Sequence, residues 1–204
     1  MKNPKDFWNQ RFAEDAPAYG EAPNAFVQEQ AWRLPQGARV LLPGDGQGRN
    51  SIWLAQQGMD VVCVDWSEAG LARAQELAAR QAVSIEPVCA DLTIWLWPER
   101  AFDAVVAVHL HLPPEARRQV HRAMLRALKP GGILLLEAFD VEQINYASGG
   151  PNRLDMLYSA EMLEEDFVDA EMLLLERAQV VLDEGLYHQR VAEVVRIAAR
   201  RPAE

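Results

Sequence analysis

Arg39-Val-Leu-Leu-Pro-Gly-Asp-Gly-Gln-Gly-Arg-Asn50 is the stretch that decides the fold. Arg39 to Pro43 is short, apolar and free of alternation, as a strand covered on both faces should be. Gly44, Gly46 and Gly48 then alternate with polar residues, in a loop whose backbone can approach a ligand closely. Beyond Asn50, the residues Ile52, Trp53 and Ala55 fall at helical spacing until Gly58. The unit is strand, glycine loop, helix.

The same unit repeats outward from this stretch. Asp60 to Asp65 is a second apolar run, and Ser67 caps a helix that turns Leu71, Ala74 and Ala78 inward and lasts to about Gln81. Strands are expected over 85–90 and 102–108. Pro114 opens the next helix, at a position where its missing N–H costs nothing. Val120, Met124 and Leu128 form its stripe, and the turn Lys129-Pro-Gly-Gly132 separates it from a strand over 133–137. Such alternation gives a parallel sheet with right-handed crossovers. After Phe139 come a Gly-rich loop at 146–152, a short helix over 159–167, and two runs at 171–182 and 187–199. Only an antiparallel hairpin joins runs as close as these, across Asp183-Glu-Gly185. The expected fold is therefore α/β: a mostly parallel, seven-stranded sheet closed by an antiparallel hairpin. One domain over 1–204, without internal repeats, accounts for the whole sequence.

Half of the residues are apolar, which suffices for one sizeable core in a chain of 204. No apolar run reaches the roughly 20 residues of a membrane helix, and the polar start through Trp8 lacks a signal-peptide stretch. A cytoplasmic protein without membrane contact is expected. The formal charge of -10 repels phosphate backbones and disfavours a nucleic-acid partner. Arg117, Arg118, Arg122 and Arg126 are expected on the solvated side of their helix. Cys63 and Cys89 are expected to be buried and reduced; two cysteines give neither a disulfide framework nor a metal site, and no metal site is expected. Nothing in the sequence indicates an oligomeric state.

Ligands of open α/β sheets bind outside the carboxyl ends of the strands, where strand order reverses. Four features fall there. Gly44, Gly46 and Gly48 precede a helix N-terminus, but their spacing departs from the dinucleotide fingerprint, whose sixth position is Arg49 here. Asp65 ends the second strand, where a carboxylate can accept both hydroxyls of a ribose. Asp91 follows the third strand and can receive an adenine amine, or be a solvated loop acid; Trp66 and Leu92 can wall the ring. His109 and His111 follow the fourth strand, and their alternation lets only one point into the site. There a histidine acts as a base or orients an acceptor; bonding to a nearby loop is an equal alternative.

With these residues the chain resembles the class I S-adenosylmethionine-dependent methyltransferases along nearly all its length, from the glycine loop through Asp65, Asp91 and Lys129-Pro-Gly-Gly132 to the closing hairpin. More narrowly, Phe7-Trp8, Tyr19-Gly20, Pro23-Asn24-Ala-Phe26, Gly46-Gln-Gly-Arg-Asn50, His111-Leu-Pro113 and Gly149-Gly-Pro151 are similar to the small bacterial group of tellurite-resistance and thiopurine methyltransferases. The resemblance implies a Rossmann-like three-layer sandwich, S-adenosylmethionine as cofactor, and methyl transfer as activity. It implies that Gly44, Gly46 and Gly48 pass under the methionine part, that Asp65 holds the ribose and that Asp91 with Leu92 holds the adenine, with Asp45, Asn50, Trp66 and Tyr19 also expected to bind the cofactor. A lid over 1–35 would bring Trp8 and Tyr19 to the site, beside a cofactor-binding half over 36–140 and a remainder over 141–204. The class usually has an acid where this chain has Leu42, and Asp45 is expected to substitute for it. If the acceptor arrives protonated, His111 is the first candidate for a base and His109 the second. The acceptor itself is narrowed by absences. His109-Leu-His-Leu-Pro-Pro114 lacks the Asn/Asp-Pro-Pro-aromatic run of enzymes that methylate amines of nucleic acid or glutamine. A small molecule is expected: a thiol, a metalloid oxyanion or another heteroatom nucleophile. A non-catalytic binder of the cofactor and a protein methyltransferase are the alternatives.

Overall fold

Val40, Leu41 and Leu42 of β1 (Arg39–Pro43) are all buried but serve different layers. Successive side chains of a strand point to opposite faces. Val40 and Leu42 accordingly join Phe26, Val27 and Leu54 in one apolar cluster. Leu41 joins Val120, Met124, Leu163 and Phe167 in another. The computed structural model, which describes residues 4–14 and 16–203, shows the three layers that this split requires.

Two helices, α1 (Pro4–Phe12) and α2 (Ala25–Gln30), precede β1. Then follow α3 (Arg49–Gln56), β2 (Asp60–Asp65), α4 (Glu68–Arg80), β3 (Glu86–Cys89), β4 (Phe102–Val108), α5 (Pro114–Ala127) and β5 (Leu128–Phe139). The chain ends with α6 (Ala160–Asp166), β6 (Glu171–Glu184) and β7 (His188–Arg200). The sheet order is β3-β2-β1-β4-β5-β7-β6, with β7 antiparallel to both of its neighbours. Strand order reverses between β1 and β4, and that is where the cavity described below opens.

Most expected elements fall where the apolar runs lie, and the departures have local causes. β3 is shorter than expected and forms a sheet edge, the position at which Pro87 removes no ladder bond. Lys129-Pro-Gly-Gly132 does not precede β5 but interrupts it. Phe102 pairs with Leu128 and Ala104 with Ile133, so the turn bulges out of a strand already paired to β4. Cys63 is buried as expected, whereas Cys89 is exposed at the sheet edge. Among the described residues no helix is long and apolar enough to cross a membrane.

Arg117 corrects a second expectation. Arg118 and Arg126 are solvated, but Arg117 is buried and its Nε donates to Asp166 Oδ2 at 2.7 Å. His121, one turn further along α5, bonds the same oxygen at 2.8 Å. Losing one partner of such a buried ion pair costs about 3–5 kcal/mol, because the other charge is left without compensation. Asp166→Ala is therefore expected to lower the urea midpoint severely; a midpoint near that of the parent would show that the triad carries no such weight.

Candidate active site

A cavity of about 900 Å³ opens at the carboxyl ends of β1, β2 and β4. That volume suits a cofactor together with a small second ligand. Its floor is the glycine loop. Gly46 is left-handed at φ 59°, and a Cβ there would lie 2.7 Å from Phe12 Cζ of α1. Gly48, at φ 86°, has Ala74 of α4 so close that a Cβ would fall 2.6 Å from its methyl group. Only glycine lets the loop pass between these neighbours.

Asp65 closes the loop from the side. Its Oδ2 accepts from Gly46 N at 3.0 Å and its Oδ1 from Ser67 N at 2.8 Å. Burial raises its pKa despite these bonds, and each oxygen keeps a lone pair. Asp91 turns one oxygen back on its own loop, accepting from Thr93 N and Oγ1 at 2.9 and 2.7 Å. It lines the cavity with Trp66 and Leu92. Asp45 is different. Neither of its buried carboxylate oxygens makes a hydrogen bond of ordinary geometry, and burial, reinforced by the Asp65 charge and only partly opposed by nearby Ser51 and Arg49, pushes its pKa up to about 7.

The roof comes from α1 and the segment after it. Trp8 stacks on Phe12 with ring centroids 5.4 Å apart, and Tyr19 lies 4.4 Å from the ring of His188. Asn50 Oδ1 accepts from Asn24 N at 2.9 Å and so ties this segment to α3.

The two histidines after β4 have opposite situations. His111 Nδ1 bonds Met156 O at 2.7 Å, while its Nε2 accepts from Phe139 N at 3.2 Å. Burial pushes its pKa down to about 3. Tyr158 pins the same segment, donating to Leu110 O at 2.8 Å and accepting from Leu112 N at 3.1 Å. His109 takes the left-handed conformation at φ 52°, which costs a non-glycine residue about 1–2 kcal/mol. Its ring stacks on Phe139 at 4.4 Å, and neither ring nitrogen has a hydrogen-bond partner.

Behind His109 lies a buried polar network. Glu137 accepts from Asn24 Nδ2 at 2.6 Å and from Arg196 Nε at 2.7 Å. Glu184 accepts from Arg49 Nη2 at 2.8 Å and lies 3.2 Å from His188 Nδ1. Burial alone would raise the pKa of Glu184, but His109, His188 and Arg49 hold it well below the carboxylate range.

The family description "Methyltransferase domain" matches residues 40–132, the span holding the glycine loop, Asp65, Asp91 and Lys129-Pro-Gly-Gly132. Over that span the chain is similar in sequence to methyltransferases, and its fold is that of S-adenosylmethionine-dependent methyltransferase structures. Thiocyanate methyltransferase 1 of Arabidopsis thaliana is 30% identical over 134 residues, covering 64% of this chain and 57% of that protein. Thiopurine S-methyltransferase of Legionella pneumophila is 23% identical over 162 residues, covering 70% and 73%. The structure of NodS from Bradyrhizobium japonicum WM9, an N-methyltransferase in complex with S-adenosyl-L-homocysteine, superposes with a TM-score of 0.70 at 20% identity, covering 98% of this chain and all of that one. The chain spans about half the length of several curated relatives that it matches.

In this chain the expected residues Gly44, Asp45, Gly46, Asn50, Asp65, Trp66, Asp91, Leu92, Tyr19, His109 and His111 all line one cavity, and Gly48 packs beneath it. The two histidines differ in their bonding. His111 takes the loop-bonded alternative, with no lone pair left for a proton, and His109 carries the unpartnered ring. Glu184, His188 and Glu137 escaped notice, and Arg49 was read only as a departure from the dinucleotide spacing. Glu137 left a trace, as a charge ending an otherwise apolar strand. Glu184 and His188 meet the site only because the β6–β7 turn folds back over it.

Proposed function

We propose that the chain transfers a methyl group from S-adenosylmethionine to a small-molecule nucleophile, a thiol, metalloid oxyanion or other heteroatom. The observation that carries this is the pair of unpartnered buried groups in one cavity, Asp45 towards the glycine loop and His109 at the end of β4. The cofactor supplies a methyl carbon already activated on its sulfonium, so the protein's task is orientation. Asp65 has the lone pairs to hold two ribose hydroxyls, and the second oxygen of Asp91 takes the adenine amine between Trp66 and Leu92. Asp45 takes the α-ammonium of the methionine part, the countercharge that its burial lacks. Trp8 and Tyr19 keep water out from above. His109 faces the acceptor, and His111 fixes the wall beside it.

Calorimetric titration with adenosylmethionine, adenosylhomocysteine and NADH tests the cofactor, and turnover on thiols and metalloid oxyanions tests the acceptor class. His109→Asn is expected to lower kcat by about 100-fold, the lower end of what a positioned side chain contributes at a reacting centre. Its adenosylhomocysteine affinity should not change. Unchanged turnover would remove His109 from the reaction, and tight binding without turnover on any acceptor would favour a non-catalytic binder.

A further inference from the structure

His109 lies far in sequence from Glu184 and His188, which flank the β6–β7 turn, but the three meet beneath the acceptor end of the cavity. Each offers one ligand atom, and these atoms all lie within 4.8 Å of one another. The His109 side chain is only 7% exposed and neither ring nitrogen makes a hydrogen bond, although Nε2 faces Glu137 and Glu184 at 3.5 and 3.7 Å; a buried polar group left so costs free energy unless a ligand completes it. Glu184 Oε2 stands 3.7 Å from His109 Nε2 and 3.2 Å from His188 Nδ1.

We propose that His109, His188 and Glu184 bind a divalent cation of the zinc type, with the open coordination position facing the acceptor. Two imidazoles and one carboxylate are a donor set that catalytic zinc sites use, leaving the fourth position to water or substrate. The surrounding shell suits the role. Arg49 fixes the Glu184 carboxylate at 2.8 Å, and Glu137 stands 3.5 Å from His109 Nε2. The expectation of no metal site considered cysteines, and none of these ligands is one.

Charge then specifies the acceptor. Glu137 and Glu184 are matched by Arg49 and Arg196, so a divalent ion adds two positive charges that nothing in the network offsets. The cation binds weakly by itself and more tightly together with an anionic fourth ligand. A thiol in that position loses its proton to solvent and is presented as a thiolate. In this inference, which rests on the acceptor end of the reading above, His109 acts as a ligand and the cation lowers the acceptor's pKa.

The chelator-treated chain should be titrated with Co²⁺, with and without 2-mercaptoethanol, while visible absorption is followed. Adenosylhomocysteine binding is measured on the same samples. The expected result is a four-coordinate cobalt spectrum, a thiolate charge-transfer band on adding the thiol, and two exchangeable imidazole protons shifted by the cobalt in proton NMR. His188→Gln and Glu184→Gln should each weaken cobalt binding by about 100-fold or more, beyond the usual effect of outer-shell changes. The NMR signals identify the ligands in the parent chain even if a variant fails to fold. A spectrum that stays that of the hydrated ion, or one that survives both substitutions, overturns the cation site while intact adenosylhomocysteine binding leaves the methyltransferase reading in place. Loss of adenosylhomocysteine binding by the parent chain overturns that reading instead.

Discussion

Asp65→Ala is expected to weaken adenosylhomocysteine binding by roughly 100-fold or more. A carboxylate accepting two ribose hydroxyls makes two charge-assisted bonds, each of about 1.5–3 kcal/mol. The alanine also strands Gly46 N and Ser67 N, which Asp65 now holds at 3.0 and 2.8 Å. The loop that carries the methionine part thus loosens at the same time as the ribose loses its anchor. Asp65→Asn separates the two effects. Its amide oxygen can still accept from one of the two N–H groups, but it has no charge for the ribose. Calorimetry on both variants, with the unfolding midpoint measured alongside, checks this. Parent-like affinity in both would exclude a ribose role for Asp65.

Asp45 should make cofactor binding depend on pH. In the ligand-free fold its pKa is pushed up to about 7, against an ordinary value of 3.8. A group whose folded pKa is raised contributes stability that is fully present below the unfolded value and lost as pH rises through the folded one. The ligand-free chain should therefore lose stability steadily between about pH 4 and 7 and level off above. About three pKa units correspond to roughly 4 kcal/mol, an upper figure for this one group. Asp45→Asn should flatten the slope and be the more stable chain at pH 8. A cationic α-ammonium beside the carboxylate reverses the preference, because it favours the ionised form. Below pH 7, binding then has to expel a proton, and adenosylhomocysteine affinity should fall about tenfold per pH unit. Calorimetry from pH 5.5 to 8 in buffers of different ionisation enthalpy reports both the affinity and the released proton. A flat profile in the parent chain would place the ammonium elsewhere.

The contrast between these two acids shows how far the sequence alone could carry. Asp65 was legible because it ends an unbroken apolar run, and strand ends at a switch point are where ligands bind. The bounds of β1, β2 and β4 were legible for the same reason: burial on both faces confines polar residues to the ends of each run or, for Asp103, next to one. Lys129-Pro-Gly-Gly132 misled because turn chemistry says where a chain bends, not whether the residues before the bend already pair. Arg117 misled because helical spacing marks a face, while the Asp166 that draws it inward belongs to another helix. The histidines show the limit most clearly. Alternation lets only one of the two into the site, yet both line the cavity because His109, at φ 52°, has left the strand; Met156 O and Phe139 N decide which is tied down, and neither is a local neighbour. The candidate cation ligands had no local signal either, since two of the three sit around a hairpin turn.

The buried polar network also bears on the order in which the molecule comes together. Asn24, Arg49, His109, Glu137, Glu184, His188 and Arg196 span nearly the whole chain, so their contacts close very long loops. Contacts of such separation gain nothing until the intervening strands are in place, because the loop-closure entropy comes first. The glycine loop, by contrast, joins neighbouring elements and can form as soon as β1, β2 and the helix between them have docked. Folding thus builds the cofactor end early and the acceptor end last, and fraying from either terminus undoes them in the opposite order.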